Sequence, residues 1–277
     1  MARKGCLVSL IIPPQTLTTS RNGKQAILIG NSVDVRGVGD AIILSGLARE
    51  VYKVFPDYYI ILKTKGPKTL FENSPYIHAV EDGLIPQNID IGRGHYIARK
   101  CRYFGIENPE LKGDIHFTAN EIQAAKSILE QLSGTRPVIT FCCNSTDWRR
   151  DWKLEHWEQL VGMLSTKYDV YQMEERIMFD SQGGPGIRIH NTCKAARQEL
   201  RGLPIRRAAA IMSLSKKHLG TNTGFMHIAT CFADGQFCYM GKDPTGQEDW
   251  LYPQNNNFFE AEQPENIARR IITAWHQ

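Results

Sequence analysis

Lys217-His218-Leu219-Gly220-Thr221-Asn222-Thr223-Gly224-Phe225-Met226-His227-Ile228-Ala229 is the stretch whose reading decides the fold. A short apolar piece runs into Gly220, a polar turn follows, and Phe225 to Phe232 resumes as a helix. Thr221, Asn222 and Thr223 are residue types that close helix N-termini, and Gly224 lets another group approach the backbone. A strand ending in such a turn aims free N–H groups and the positive end of a helix at one point, which suits a phosphate or diphosphate. The same residues also fit an ordinary capped helix with His227 on its flank. A second, similar turn almost two hundred residues earlier favours the anion reading.

That second turn is Arg36-Gly37-Val38-Gly39-Asp40. It lies between an apolar strand, Ala26 to Gly30, and a helical run, Ala41 to Phe55, with Asp40 as the helix cap. Leu44, Leu47, Ala48, Val51 and Phe55 form one stripe of that helix at i, i+3, i+4, i+7 spacing. Further strands are predicted over Tyr58 to Lys63 and Ala79 to Glu81, and helices over His95 to Phe104 and Ala119 to Leu132. Thr118 followed by Glu121 gives the last of these a capping box. Ser133-Gly134-Thr135-Arg136-Pro137 breaks the pattern and marks a domain junction.

The second half repeats the alternation. It predicts a strand over Val138 to Cys142, a polar turn from Asn144 to Lys153, a helix over Glu155 to Leu164 and a strand over Tyr168 to Met173. Gln182 to Gly186 reads as a loop, Ile187 to Ile189 as a short strand, Ile205 to Leu214 as a helix and Gln236 to Met240 as the last strand. Pro264 to Trp275 is a helix with Ile267, Ile271, Ile272 and Trp275 turned inward, expected to pack back across the junction. Residues 1–24 read as an N-terminal extension, with an edge strand over Leu7 to Ile12 and turn material from Pro13 to Asn22. Strand–turn–helix alternation signals parallel βαβ units. Two such halves, residues 25–135 and 136–277, predict an α/β molecule of two Rossmann-like domains facing a cleft.

Composition narrows the class. At 277 residues and 42% hydrophobic, the chain can bury a sizeable core. A net charge of +4 carries no strong nucleic-acid signal. No apolar run reaches the ~20 residues of a membrane span, and Cys6 to Ile12, stopped by Pro13-Pro14, is too short for a signal peptide. Seven cysteines without metal-type spacing fit a reducing cytoplasm, and Cys142-Cys143 reads as buried packing at a strand end.

The G-x-G-D turn with its flanking strand and helix resembles glycosyltransferase family nine, whose best-known members are the ADP-heptose:lipopolysaccharide heptosyltransferases. The matches continue in order through Asn73-Ser74-Pro75-Tyr76-Ile77 with Val80, Trp152-Lys153-Leu154-Glu155-His156-Trp157, Asn222-Thr223-Gly224 with His227, and Gly241-Lys242-Asp243-Pro244. The resemblance implies the GT-B fold, with the acceptor on the N-terminal half and the nucleotide sugar on the C-terminal half. It implies an inverting, metal-independent glycosyltransferase without a cofactor. The donor would be a nucleoside-diphosphate sugar, with an ADP-sugar favoured and heptose as one candidate sugar. A glycan or other hydroxyl compound would be the acceptor. The site would be cytoplasmic or at the inner-membrane surface. A sugar-nucleotide epimerase or hydrolase of the same fold, and a nucleotide-sugar-binding protein without turnover, stay open as alternatives.

Site roles follow from the resemblance. Asp40 is the expected general base, and Gly37 and Gly39 let substrate approach the backbone. A sugar hydroxyl is a poor nucleophile, so a base in reach is worth ~10²–10⁴-fold in rate. Arg150 stands where family members place a lysine, two residues before Trp152, and would hold the departing diphosphate. Arg149 and Lys153 are further cations of that loop, with the solvated alternative equally open. Thr223 and Gly224 offer amides to the diphosphate. Asn222 replaces the family's aspartate, which preserves the cap and puts any sugar-orienting role of that aspartate in doubt. His227 is a candidate ligand contact, Glu174 or Glu175 a candidate for the ribose hydroxyls, and Leu203 a rest for the adenine ring.

Overall fold

The computed structural model describes residues 18–21, 23–132, 134–145, 147, 150–174, 177–179, 187–242 and 249–275. The predicted strand Leu7 to Ile12, the loop Gln182 to Gly186, and the residues Arg149, Glu175, Asp243 and Pro244 lie outside them. Two sheets carry the molecule. The first has strands β1 (Thr18–Arg21), β2 (Lys24–Gly30), β3 (Tyr59–Thr64) and β4 (Ala79–Asp82) in that spatial order. β2, β3 and β4 are parallel. Thr18–Arg21, expected as turn material, instead pairs antiparallel with β2. The register sets Arg21 opposite Lys24, and Gly23 at φ 73° supplies the left-handed residue of the reversal.

The second sheet contains β5 (Val138–Cys142), β6 (Asp169–Gln172), β9 (Lys217–Thr221), β10 (Phe237–Tyr239) and β11 (Asn256–Phe258) in the order β11-β10-β9-β5-β6. Every pairing in it is parallel. Its central strands are buried along their length, as a sheet covered on both faces requires. Two short strands, β7 (Ile177–Phe179) and β8 (Ile187–Ile189), form a separate antiparallel pair. β11 escaped the sequence reading because Asn256-Asn257-Phe258 is a polar run with low strand propensity.

The helices are α1 (Val38–Val54), α2 (Tyr96–Tyr103), α3 (Ala119–Leu132), α4 (Leu154–Leu164), α5 (Ile205–Leu214), α6 (Gly224–Thr230) and α7 (Pro264–Trp275). The predicted capping box at α3 is present. Thr118 N donates to Glu121 Oε2 at 2.8 Å, and Glu121 N donates to Thr118 Oγ1 at 3.3 Å. α7 does not cross between the halves as expected. It packs on α4, with Trp275 against Tyr168 and Phe237, because Ile267, Ile271 and Trp275 complete the core over the second sheet.

The main core ignores the boundary between the halves. Ile27, Ile29 and the buried face of α1 join Ala208 to Met212 of α5 and Ile228 and Ala229 of α6 in one apolar cluster. Polar ties accompany it. Arg206 of α5, 8% exposed, donates to the carboxylate of Glu121 and to the carbonyls of Thr69 and His116. That pairing holds the Glu121 carboxyl down at about 2. Arg99 of α2 meets Asp249 at 2.8 Å, and Gln254 Nε2 donates to Leu111 O. These contacts fix the relative placement of the two sheets, and so the shape of the cleft between them.

Candidate active site

The cleft measures about 870 Å³ and opens where the carboxyl ends of β2, β5 and β9 meet. Strand ends in open α/β sheets gather ligands in this way, since loops and helix N-termini converge there. Asn31, Gly37, Asp40 and Lys100 line it from the first half. Asn144, Arg150, Glu174, Asn222, Thr223 and His227 line it from the second. Asp40 and Gly224, 184 positions apart in the chain, therefore line one cleft.

Asp40 is not the N-cap that the sequence suggested. α1 starts at Val38 and its N-cap is Gly37, which has no side chain to cap with, so Asp40 is the third helical residue. From there its carboxylate turns back to the start of the helix. A methyl group on Gly37 would lie 2.6 Å from Asp40 Oδ2. Gly37 is thus the space in which this carboxylate sits. Burial raises its pKa above the ordinary 3.8, against the lowering influence of Lys100, of Arg150 and of the backbone N–H groups of Asp40 and Gly37. A carboxylate of raised basicity at a cleft is what general-base work calls for.

The turn before α6 is built differently. Thr223 is the N-cap in an extended conformation, and its side chain makes no capping bond. Its Oγ1 lies 3.7 Å from Cys142 Sγ instead. Asn222 is 2% exposed; its N donates to Tyr239 O, and its Nδ2 has no partner among the described residues. Gly224 lines the cleft, yet the group it admits is protein. A methyl group on it would stand 2.5 Å from Val38 Cβ and 3.4 Å from Gly39 N. The close approach that the sequence suggests at Gly224 is therefore made by the protein itself: the glycine lets α6 touch the first turn of α1. Gly39 has the matching role, for a methyl group there would lie 2.8 Å from His227 Cδ2 and 3.0 Å from Nε2. His227 is buried, bonded through Nδ1 to Tyr252 Oη at 2.7 Å, and burial lowers its pKa to about 3. It stands in the cleft as a neutral imidazole.

Arg150 follows β5, and its backbone carbonyl accepts from Thr221 Oγ1 at 2.5 Å. This ties the loop to the end of β9. Its guanidinium lies 3.7 Å from Asp147 and 5.9 Å from the Trp250 ring centre, with a side chain 39% exposed. Lys153 is exposed and does not line the cleft; its backbone caps α4. Leu203 also lies off the cleft, packed against the core, and Ile205 lines the wall in its stead. Glu174 does line it, at 1% exposure. Its Oε1 accepts from Cys143 N, Asn144 Nδ2 and Gln172 Nε2, while Oε2 has no partner among the described residues. Cys142 and Cys143 are buried, as expected, with both thiols pushed far above the usual range by burial.

Trp250 and Lys100 are among the cleft residues that the sequence reading missed. Trp250 packs on Tyr96 at 4.5 Å and on His227 at 5.6 Å, bridging the halves across the mouth. Nothing local in the sequence marks it. Lys100 lines the cleft at 5% exposure, on α2 between the fully buried Ile97 and Cys101. A lysine on the apolar face of a helix was the available signal. Among the described residues no cluster of three His, Cys, Asp or Glu side chains is arranged for a metal ion.

No protein-family model matches the chain, and no curated protein matches it. Solved structures do. The E. coli ADP-heptose lipopolysaccharide heptosyltransferase II superposes with a TM-score of 0.66 at 14% identity, over 91% of this chain and 99% of that one. A family 9 glycosyl transferase from Veillonella parvula gives a TM-score of 0.70 at 10% identity, over 90% and 97%. A second E. coli heptosyltransferase, solved with ADP, gives 0.59 at 11% identity, over 90% and 97%. The chain therefore has the fold of these glycosyltransferases, two Rossmann-like domains in the GT-B arrangement.

Proposed function

We propose that this protein is an inverting glycosyltransferase that moves a sugar from a nucleoside-diphosphate sugar to an acceptor hydroxyl. The observation that carries the reading is Asp40, a cleft carboxylate of raised basicity on the first half, facing Arg150 and the α6 turn on the second. In the proposed step the acceptor O–H gives its proton to Asp40 as its oxygen bonds to the anomeric carbon. The bond from that carbon to the diphosphate oxygen breaks, and the electron pair leaves with the nucleoside diphosphate. Attack from the face opposite the leaving group inverts the anomeric centre. Charge grows on the diphosphate as the bond breaks, so a cation and N–H groups there act on the transition state more than on the ground state. Arg150 and the amides of Thr223 and Gly224 are assigned that task, which needs no metal ion.

Glu174 is assigned to the ribose hydroxyls, since Oε1 is saturated with donors and Oε2 is left to accept. An ADP-sugar is the favoured donor, in keeping with the E. coli neighbour solved with ADP. The test is to incubate the protein with ADP- and UDP-sugars, with and without candidate acceptors, and to follow free nucleotide and the anomeric configuration of the product. Acceptor-dependent release with inversion supports transfer. Release without an acceptor would make the protein a hydrolase, and retention would remove Asp40 as the base of a single displacement.

A further inference from the structure

We propose that Lys100 is a positioning residue for this reaction: its ammonium, anchored by Asp90, keeps the Asp40 carboxylate ionised while donor occupies the cleft. The inference rests on the reading of Asp40 as the base. Lys100 is 5% exposed, and its Nζ lies 3.5 Å from Asp90 Oδ1. Asp90 is itself set by a turn in which its N donates to Asn88 Oδ1 at 2.9 Å. All three charged groups line the one cleft, with Lys100 and Asp90 on the acceptor side. A buried ammonium is costly unless it is paired, so one placed here has a specific charge to meet.

The surrounding charges favour Asp40 as part of that purpose. Lys100 and Arg150 are the cations that act on Asp40, joined by the backbone N–H groups of Gly37 and Asp40. His227 opposite is neutral. Burial lowers the Lys100 pKa from its ordinary value; Asp90 and Asp40 favour its charge against this, and Arg99, engaged with Asp249, opposes it. The two cations differ in mobility and in employment. Arg150 is 39% exposed and is assigned to the diphosphate. Once a diphosphate arrives, the charge of Arg150 is spoken for, and Asp40 gains an anionic neighbour that disfavours its ionised form. Among the described residues, Lys100 is then the remaining cation acting on Asp40 that can offset this. Asp90 completes the arrangement: when Asp40 takes the proton and becomes neutral, the Lys100–Asp90 pair leaves no uncompensated charge.

The experiment reads Asp40 directly. Carboxyl-labelled aspartate is introduced into the full chain, the Asp40 resonance is assigned with Asp40→Asn, and its titration is followed in wild type, Lys100→Met and Lys100→Arg, with and without ADP. Lys100→Met should raise the Asp40 midpoint by on the order of one pH unit or more, and further with ADP bound. Lys100→Arg should return it close to wild type. The acid limb of kcat/KM for transfer should move upward by the same amount in Lys100→Met, with donor KM little changed. A folded Lys100→Met whose Asp40 midpoint stays put overturns the inference. If Lys100→Met does not fold, Lys100→Gln, which keeps a polar head without the charge, is titrated in its place, and an unmoved Asp40 midpoint there overturns the inference equally. Undiminished transfer by Asp40→Asn would instead sink the base assignment, and the titration separates that failure from this one.

Discussion

The turn before α1 and the turn before α6 read alike in sequence, each a strand running into polar residues, glycine and a helix. In the structure their glycines admit different things. The space at Gly37 is filled by the carboxylate of Asp40, the free end of a side chain belonging to the cleft. The space at Gly224 is filled by Val38 Cβ, and that at Gly39 by the His227 ring, both fixed parts of the interface between the halves. A glycine at a turn thus announces a close approach without saying what approaches. Gly37 serves the chemistry, whereas Gly39 of the same turn and Gly224 of the other bring the two halves together around it.

The sharpest break of this comparison is Asp40→Asn. Transfer should fall by ~10² or more while donor affinity changes little, since the donor is assigned to the other half. Stability gives an independent sign. The folded-state pKa of Asp40 is raised, so the folded protein holds a proton that the unfolded chain has already lost. Its contribution to stability therefore falls as pH rises from 3.8 through the folded value. Asp40→Asn should accordingly melt no lower than wild type at pH 7, with the two curves converging in acid. A clear loss of Tm at neutral pH would show that the carboxylate is a structural cap after all.

The glycines come next. Gly224→Ala drives a methyl group into Val38 and should cost about 1–3 kcal/mol, the usual range for overpacking, with Val38→Ala restoring part of it in a double-mutant cycle. Gly37→Ala should cost little stability, because the backbone there is at φ −69° and the contacted atom can move. Its effect should appear in kcat, through a displaced Asp40. If chemical denaturation finds the two variants equally destabilised, the distinction between the turns fails.

Smaller effects sharpen the picture of the second half. Arg150→Ala should weaken nucleoside-diphosphate binding about tenfold by calorimetry, in line with loss of one charged hydrogen bond. Lys153→Ala should leave affinity unchanged and Tm within about 0.5 kcal/mol equivalent, since its side chain is exposed and off the cleft. A loss at Lys153 matching that at Arg150 would move the anion site along the loop.

Periodicity and turn chemistry made much of the fold legible before any coordinates. The bounds of Val138–Cys142, Ala119–Leu132 and Ile205–Leu214 are as the sequence predicts, because apolar spacing, capping residues and flanking glycine or proline all point the same way there. Thr18–Arg21 and Asn256–Phe258 were missed for the opposite reason. They are short edge strands of mostly polar residues, paired with a neighbour's backbone, with Phe258 the single apolar anchor of the second.

What the sequence by itself determined is the alternation of strand and helix and the two turns at the sheet ends, local properties written in spacing and residue type within a dozen positions. Asp40 and Arg150 stood out through the family resemblance. Only the tertiary structure decided that α1 and α6 touch, that Lys153 and Leu203 stand outside the cleft, and that Lys100 and Trp250 stand inside it. The physical reason is that those facts depend on how two sheets are packed together. That packing is set by a core shared between α1, α5 and α6, whose members are neutral, interchangeable apolar residues carrying no mark of the partner they will meet.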